Sequence, residues 1–189
     1  MTQPNPISEP WPTKPPPAGL RPAMFTVVVA LIFLSDQLSK LWIVRTLPQA
    51  TPQPIIGNAF RLFYTQNTGG AWGMLPTGNF LFILFALIAI AALLIAYYRL
   101  GRKEFLVGAA FALALGGALG NLLDRLRLGY VVDFFDVRII HWPIFNVADS
   151  AITLSIGLLL LYFFRSNKAE AGETEVSPKE TRPSSANAE

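Results

Sequence analysis

Four long apolar stretches dominate this chain and predict four membrane-spanning helices. They cover residues 24–44, 80–98, 105–123 and 144–164, and about 20 apolar residues in a helix suffice to cross roughly 30 Å of hydrocarbon. The second and third stretches carry no charge, whereas the first contains Asp36 and Lys40 and the fourth begins with Asn146 and Asp149. A hydrophobic content of 52% and a mean hydropathy of +0.44 agree with a membrane protein.

The connection between the first two spans has a different pattern. Residues 58–65 alternate as a half-buried strand does, residues 66–70 form a turn signal, and residues 71–75 are a second possible strand. Trp72 and Trp142 are expected at the level of the lipid headgroups. The predicted fold is an all-α membrane protein with four transmembrane helices, a small extracytoplasmic β-cradle and an outer loop.

The two ends of the chain differ from this four-span domain, which we place at residues 23–165. Residues 1–22 are rich in Pro, and residues 166–189 are rich in Ala, Glu, Ser and Lys. Neither segment can bury enough apolar surface to order itself, so both are predicted to be disordered cytoplasmic tails. A cleaved signal peptide is not expected, because the first span is full length and continues into polar sequence.

The positions of the basic residues predict the orientation, since Lys and Arg near span ends favour the cytoplasmic side. With both termini inside, the inner set is larger and comprises Lys14, Arg21, Arg99, Arg102, Lys103, Arg165, Lys168, Lys179 and Arg182. The outer set comprises Arg45, Arg61, Arg125, Arg127 and Arg138. This topology accounts for the net charge of +3 without a nucleic-acid partner, and it places Asp133 and Asp149 on one outer face.

The few reactive residue types narrow the chemistry. The chain has no Cys and a single His, which excludes disulfides, thiolate nucleophiles and the usual zinc sites. His141 is expected to be an interfacial residue, and no Gly-x-Ser-x-Gly elbow accompanies it. Neither Ser35 nor Ser39 shares a helical face with Lys40. Carboxylate chemistry, without a metal or organic cofactor, remains.

Asp133 and Asp149 are the strongest candidates for that chemistry. A carboxylate at membrane depth costs roughly 2.5–3.5 kcal/mol, so such a residue is a functional candidate by default. Asp133 follows the helix-breaking Gly129 and is expected in the outer loop, where Asp136 is its local competitor. The i, i+3 spacing of Asn146 and Asp149 also fits a helix N-cap with an acid in the first turn. Spacing alone leaves that alternative open.

Other polar residues in the spans have structural explanations. Asp36 and Lys40 lie at i and i+4 and are expected to form an ion pair. Small residues at 116–120 allow close helix packing. They precede Asn121, Asp124 and Arg125, for which we expect structural or substrate-positioning roles.

Five sequence blocks, in order along residues 24–164, together resemble one family. The blocks are Ser35-Asp-Gln-Leu-Ser-Lys40, Asn67-Thr-Gly-Gly-Ala-Trp-Gly73, Gly117-Ala-Leu-Gly-Asn-Leu-Leu-Asp-Arg125, Val131-Val-Asp-Phe134 and Phe145-Asn-Val-Ala-Asp149. They resemble the bacterial lipoprotein signal peptidase, or signal peptidase II, an aspartic protease of the inner membrane. Gly70 stands where Ala is more usual in that family.

The resemblance implies that Asp133 and Asp149 are the catalytic pair. It implies supporting or substrate-binding roles for Asn67, Gly69, Trp72, Asn121, Arg125 and Asn146, and structural roles for Asp36, Lys40 and Asp124. The implied substrate is a prolipoprotein signal peptide, cut at the outer membrane surface before a cysteine that carries diacylglycerol. Membrane lipids would be its other partners.

Two other classes of protein fit the sequence less well. A small transporter or channel subunit should carry polar residues through the inner half of its spans, but the second and third spans have none there. A purely structural membrane protein explains individual aspartates as caps or ion-pair members, but it does not explain paired acids beside an aromatic loop. A monomer is sufficient, because four helices can place both aspartates in one site.

Overall fold

Four long helices and three short strands make up the part of the chain that the computed structural model describes, residues 19–57, 59–69, 78–140 and 142–175. The elements in order are α1 (Pro22–Thr46), β1 (Gln53–Ile56), β2 (Phe60–Asn67), α2 (Asn79–Ala96), α3 (Phe105–Leu128), β3 (Val131–Val137) and α4 (Val147–Glu175). A π-helical turn, Tyr97–Gly101, continues α2. All four helices are long and apolar enough to cross a membrane, which confirms the predicted four-helix fold with a small sheet.

Helix α3 forms the centre of the bundle and packs against α1, α2 and α4. Of its apolar stretch, 61% is buried, against 17% or less in the other three helices. Large apolar side chains on α1, α2 and α4 are therefore left exposed by the protein itself. A membrane protein needs this arrangement, since lipid tails cover such side chains.

Glycines on α3 allow this close packing. A Cβ added at Gly116 would lie 2.8 Å from Ile32 Cβ, and one at Gly117 would lie 2.5 Å from the carbonyl oxygen of Ala148. At Gly120 the added atom would collide with the carboxylate of Asp36. The small residues predicted to let helices approach are thus the points where α1 and α4 contact α3.

Gly120→Ala is expected to destabilise the protein by about 1–3 kcal/mol, the usual cost of overpacking. The matched control is Gly157→Ala on α4, because a Cβ there meets no atom of the described residues within 4 Å. Thermal unfolding in detergent should give a lower Tm for Gly120→Ala and an unchanged one for Gly157→Ala. Equal Tm values for the two variants would contradict the packing described for α3.

The three strands form one antiparallel sheet in the order β1-β2-β3. In the register of β2 and β3, Thr65 is opposite Asp133 and Asn67 is opposite Val131, with an irregularity between Leu62 and Thr65. Gly129 adopts a positive φ of 83° and ends α3, so the chain turns directly into β3. Phe145 then bridges to the far side of β3 at Phe135.

The sheet corrects three predictions. Asp133 lies in strand β3 rather than in a loop, because the Val- and Phe-rich segment around it pairs with β2. Asn67, placed in the turn by the sequence, is the last residue of β2. Strand β1 was not predicted at all.

Helix α4 begins later and ends later than the predicted span at 144–164. The helix begins at Val147, after Asn146, and continues through Glu175, which includes the first part of the predicted C-terminal tail. Three predicted features lie outside the described residues, namely the strand at 71–75, the tail up to residue 18 and the tail beyond residue 175.

Candidate active site

The predicted site residues converge at the end of the bundle that carries the sheet. Helices α1 and α3 end there, and α4 begins there. In the described ranges, every buried charged side chain lies at this end, namely Asp36, Lys40, Asp124, Arg125, Asp133 and Asp136. The polar residues of the spans are therefore collected in one place by the fold.

Asp133 is almost completely buried, with 2% of the residue exposed. Its two carboxylate oxygens accept hydrogen bonds from Asn146 Nδ2 at 2.7 Å and from Asn67 Nδ2 at 2.8 Å. Burial raises the pKa of Asp133 to about 7, and the nearby charge of Asp149 adds to the shift. The hydrogen bonds from Asn67 and Asn146 and the charge of Lys40 act in the opposite direction. A proton on this carboxylate is thus retained up to neutral pH.

Asp149 lies in the first turn of α4, where Asn146 caps the helix. Asn146 Oδ1 accepts the backbone N–H of Asp149 at 2.9 Å, and Asp149 Oδ2 accepts the backbone N–H of Asn146 at 3.3 Å. This reciprocal pair has the pattern of a capping box. The other oxygen, Oδ1, accepts Asn121 Nδ2 at 2.8 Å. The N-cap explanation of Asn146 and Asp149 is therefore confirmed, and it coexists with their position beside Asp133.

Asn146 connects the two aspartates. It is fully buried, and its Nδ2 lies within hydrogen-bond distance of Asp133 Oδ1, Asn121 Oδ1 at 3.1 Å and Val132 O at 3.3 Å. Its backbone N–H and its Oδ1 serve Asp149. One side chain therefore fixes the beginning of β3 relative to the start of α4.

Beneath the aspartates lies the ion pair that the i, i+4 spacing predicted. Lys40 Nζ is 2.8 Å from Asp36 Oδ2 and 2.9 Å from Asp124 Oδ2, and it donates to Asn121 Oδ1 at 2.9 Å. Gln37 Nε2 lies within hydrogen-bond distance of Asp36 Oδ2 and Asp124 Oδ1. We call Asp36, Gln37, Lys40 and Asp124 the lysine cluster. Gln37 was not singled out by the sequence, although it stands next to Asp36 in the first motif.

Arg125 and Asp136 have partners other than the two aspartates. The Arg125 guanidinium lies 4.2 Å from the centre of the Phe82 ring. Its Nη1 is buried with no hydrogen-bond partner in the part of the chain that the structure describes. Asp136, the other candidate aspartate near Asp133, forms an ion pair with Arg61 on β2. Its side chain therefore links two strands of the sheet.

The loop residues of the predicted site are described only in part. The backbone N–H of Gly69 donates to Asn67 Oδ1 at 3.2 Å, which orients the amide that contacts Asp133. Trp72, Gly70 and His141 lie outside the described residues.

A groove opens beside Asp149, between α4 and the chain that follows β3. Its volume is about 510 Å³, within the usual range of about 300–1,000 Å³ for ligand pockets. Besides Asp149, its lining is predominantly apolar and comprises Val137, Ile140, Trp142, Phe145, Ser150, Thr153 and Leu154. The hydroxyl of Ser150 donates to the carbonyl oxygen of Asn146 at 2.8 Å, so one of the few polar groups in the groove is already engaged.

Fold and site together define a multi-pass membrane protein with two aspartates, Asp133 and Asp149, connected through Asn146 at one end of a four-helix bundle. The sequence matches the family described as "Signal peptidase (SPase) II" over residues 28–165. The chain belongs to this family of membrane proteases.

Known proteins similar to this chain match it over about three quarters or more of its length. The lipoprotein signal peptidase of Halothermothrix orenii is 43% identical over 145 residues, which cover 77% of this chain and 98% of that protein. The one from Clostridioides difficile is 41% identical over 146 residues, covering 76% and 97%. A bacterial membrane enzyme solved by the in meso method at 2.3 Å resolution superposes with a TM-score of 0.75 at 26% identity, covering 87% of this chain and 98% of that one.

Proposed function

We propose that this protein is an aspartic endopeptidase that removes signal peptides from diacylglyceryl-modified prolipoproteins, with Asp133 and Asp149 as its catalytic residues. The observation that carries the proposal is that Asn146 joins the buried carboxylate of Asp133 to the partly exposed carboxylate of Asp149. The names of the relatives support the substrate class. The cut would fall before the lipid-modified cysteine.

Two carboxylates can hydrolyse an amide when one is ionised and the other protonated. In the proposed reaction, the Asp149 carboxylate takes a proton from a water molecule while that water's oxygen attacks the scissile carbonyl carbon. Asp133 supplies the proton that the departing nitrogen requires, and the C–N bond breaks. The products are the carboxylate of the signal peptide and the free amino group of the lipid-modified cysteine.

The surroundings of the two aspartates support Asp133 as the proton donor and Asp149 as the proton acceptor. The raised pKa of Asp133 keeps a proton available for donation near neutral pH. Asp149 lies at the N-terminus of α4, where the helix dipole favours a negative charge, and Asn121 donates a hydrogen bond to it. Like charges in a poorly solvated site resist double ionisation, so the pair should titrate in two separated steps.

The remaining polar residues would support this pair. Asn67 and Asn146 hold the Asp133 carboxylate, and Gly69 orients Asn67. Arg125 and Trp72 are proposed to contact the substrate. Asp36, Lys40 and Asp124 are proposed as structural residues beneath the site.

The apolar groove beside Asp149 is proposed to accept the hydrocarbon part of the substrate. An extended peptide in a dry groove needs partners for its N–H and C=O groups, and the groove lining offers few. An acyl chain requires no such hydrogen-bond partners.

Thr153→Trp should narrow the groove and raise KM for the lipid-modified substrate by about tenfold, with Tm unchanged. An unaltered KM would place the acyl chains elsewhere.

We further propose that the protein lies in the bacterial inner membrane with both termini cytoplasmic and its active site on the outer face. The basic π-helical turn at Tyr97–Gly101 and the aspartates lie at opposite ends of the bundle. The positive-inside tendency supports a sheet on the outer side.

Activity should fall as the pH rises through about 7, the pKa of Asp133, because the proton needed by the leaving nitrogen is then lost.

Burial of Asp133 also makes the free energy of unfolding depend on pH. Its pKa is raised above the unfolded value of 3.8, so its contribution to stability is complete below that value and is lost as the pH rises through about 7. Profiles of kcat/KM and of Tm from pH 5 to pH 9 test both effects. In Asp133→Asn, the decline of Tm across this window should be smaller, and an identical decline would contradict the assignment.

The function itself is tested with purified protein and three matched peptides of a prolipoprotein signal sequence. Their cysteine carries diacylglycerol, carries no lipid, or is replaced by serine. Cleavage of the first peptide alone, or at least about 100-fold faster than the others, is expected. Equal rates on all three would overturn the proposed substrate class.

A further inference from the structure

The lysine cluster is connected to both aspartates through the backbone. Asp124 Oδ2 accepts the backbone N–H of Val132 at 3.1 Å, and Asp36 Oδ1 accepts the backbone N–H of Ala148 at 2.9 Å. Val132 directly precedes Asp133, and Ala148 directly precedes Asp149. Each acidic partner of Lys40 therefore holds the chain one residue before one of the two aspartates.

A third connection runs through Asn121. Its Oδ1 lies within hydrogen-bond distance of two donors, Lys40 Nζ and Asn146 Nδ2. With Oδ1 so placed, Nδ2 points to Asp149 and donates to it. If the amide were reversed, its N–H groups would face the ammonium. Lys40 thus selects the orientation in which Asp149 receives a hydrogen bond.

We propose that Lys40 is a positioning residue for the reaction, and that its three partners fix strand β3, the first turn of α4 and the Asn121 amide relative to one another. This inference rests on the proposed function. A helix needs no ion pair at this depth for its stability, since a buried ion pair is often no better than a well-packed apolar pair. The three hydrogen bonds of the Lys40 ammonium supply a defined distance between strand β3 and the first turn of helix α4.

The two acidic partners provide a matched test, because their oxygens are used differently. Asp36 Oδ1 accepts the backbone N–H of Ala148, and Asp36 Oδ2 pairs with the Lys40 ammonium. An Asn here must turn its NH₂ group toward one of these two donors, so one buried hydrogen bond is lost and a donor faces a donor. Asp36→Asn should therefore displace either the start of α4 or the Lys40 ammonium.

In Asp124, a single oxygen, Oδ2, contacts both the Lys40 ammonium and the backbone N–H of Val132. An Asn here can keep its carbonyl oxygen in that place. Its NH₂ group then faces only Gln37, whose partly exposed side chain can turn away. Asp124→Asn changes the charge as Asp36→Asn does, yet it preserves the hold on β3.

The experiment compares kcat, KM and Tm of wild type, Asp36→Asn and Asp124→Asn with the diacylglyceryl-modified peptide. Thr46→Val is the control on α1, since among the described residues the hydroxyl of this exposed residue donates only to the carbonyl oxygen of Trp42 on the same helix. We expect kcat of Asp36→Asn to fall by about 30-fold or more, because displacement of a reacting group by about 1 Å can cost on the order of 100-fold. The loss in Asp124→Asn should stay below about fivefold, and KM should change less than about threefold in both.

Equal losses of kcat in the two Asn variants would overturn the proposal, because a role in charge balance alone predicts equal effects. So would a loss of kcat that merely follows the unfolded fraction indicated by Tm. If Asp36→Asn does not fold, the charge-neutral triple variant Asp36→Asn/Lys40→Met/Asp124→Asn provides the second test, since it leaves no unpaired charge buried.

In the triple variant, Asn121 Oδ1 loses the Lys40 ammonium and keeps only the Asn146 amide as a donor, and kcat should fall by about tenfold or more. A triple variant with the kcat of wild type would also overturn the proposal. Wild-type cleavage is measured in the same series. Its absence would refute the proposed function, whereas wild-type cleavage with no effect of these substitutions would refute only the role of Lys40.

Discussion

Asp133→Asn and Asp149→Asn are each expected to lower the rate of prolipoprotein cleavage by about 1,000-fold or more. A carboxamide can neither take a proton from water nor donate one as a carboxylic acid does, and general acid–base catalysis typically contributes 10²- to 10⁴-fold per group. Both substitutions keep the size of the side chain. Initial rates with the diacylglyceryl-modified peptide measure the loss, and Tm in detergent reports whether the variants fold.

Asp136→Asn is the matched control for Asp133→Asn. Asp136 is on the same strand and is equally buried, but its side chain pairs with Arg61 on β2. The substitution should change kcat by less than about fivefold. Cleavage retained by Asp133→Asn or Asp149→Asn would remove that residue from the mechanism. An Asp136→Asn variant as inactive as Asp133→Asn would mean that the strand, rather than the carboxylate, had been disturbed.

Asn146 is predicted to have the second largest effect, because it contacts both aspartates. Asn146→Ala removes the amide and the helix cap together, and kcat should fall by about 100-fold or more. The loss of the cap should also lower stability by about 1 kcal/mol. Measurements of kcat, KM and Tm separate the two consequences.

Asn146→Ser distinguishes the two roles of this residue. Serine caps a helix as well as asparagine does, so its hydroxyl can accept the backbone N–H of Asp149 and preserve Tm. It is too short to reach Asp133 as the amide does. The variant should fold like the wild type and still lose most of its activity. Wild-type kcat in Asn146→Ser would show that the bridge between the aspartates is dispensable.

The helical part of the fold could be predicted because it depends on composition and length alone. A stretch of about 20 apolar residues has one stable conformation in a bilayer, and the helices lie where the stretches do. Strand β3 was missed because the segment after the helix-breaking Gly129 was interpreted as a loop. The intervening Val and Phe residues were the signal for a strand.

The site could be predicted at the level of residues but not of connections. Spacing along the chain predicts the Asp36–Lys40 ion pair and the Asn146–Asp149 cap. It cannot predict the hydrogen bond from Ala148 to Asp36, because 112 residues separate the partners. The same limit hid the link from Asn67 to Asp133, which depends on the register of β2 and β3. Residue types indicate possible chemistry, whereas long-range hydrogen bonds decide which groups share a site.

The most direct test of the whole account is mass spectrometry of the products that wild type, Asp133→Asn and Asp149→Asn each make from one diacylglyceryl-modified prolipoprotein. The wild type is expected to make a single cut, with the lipid-modified cysteine as the new N-terminal residue, and neither variant is expected to give that product. A cut at another position, or the same product from either variant, would contradict it.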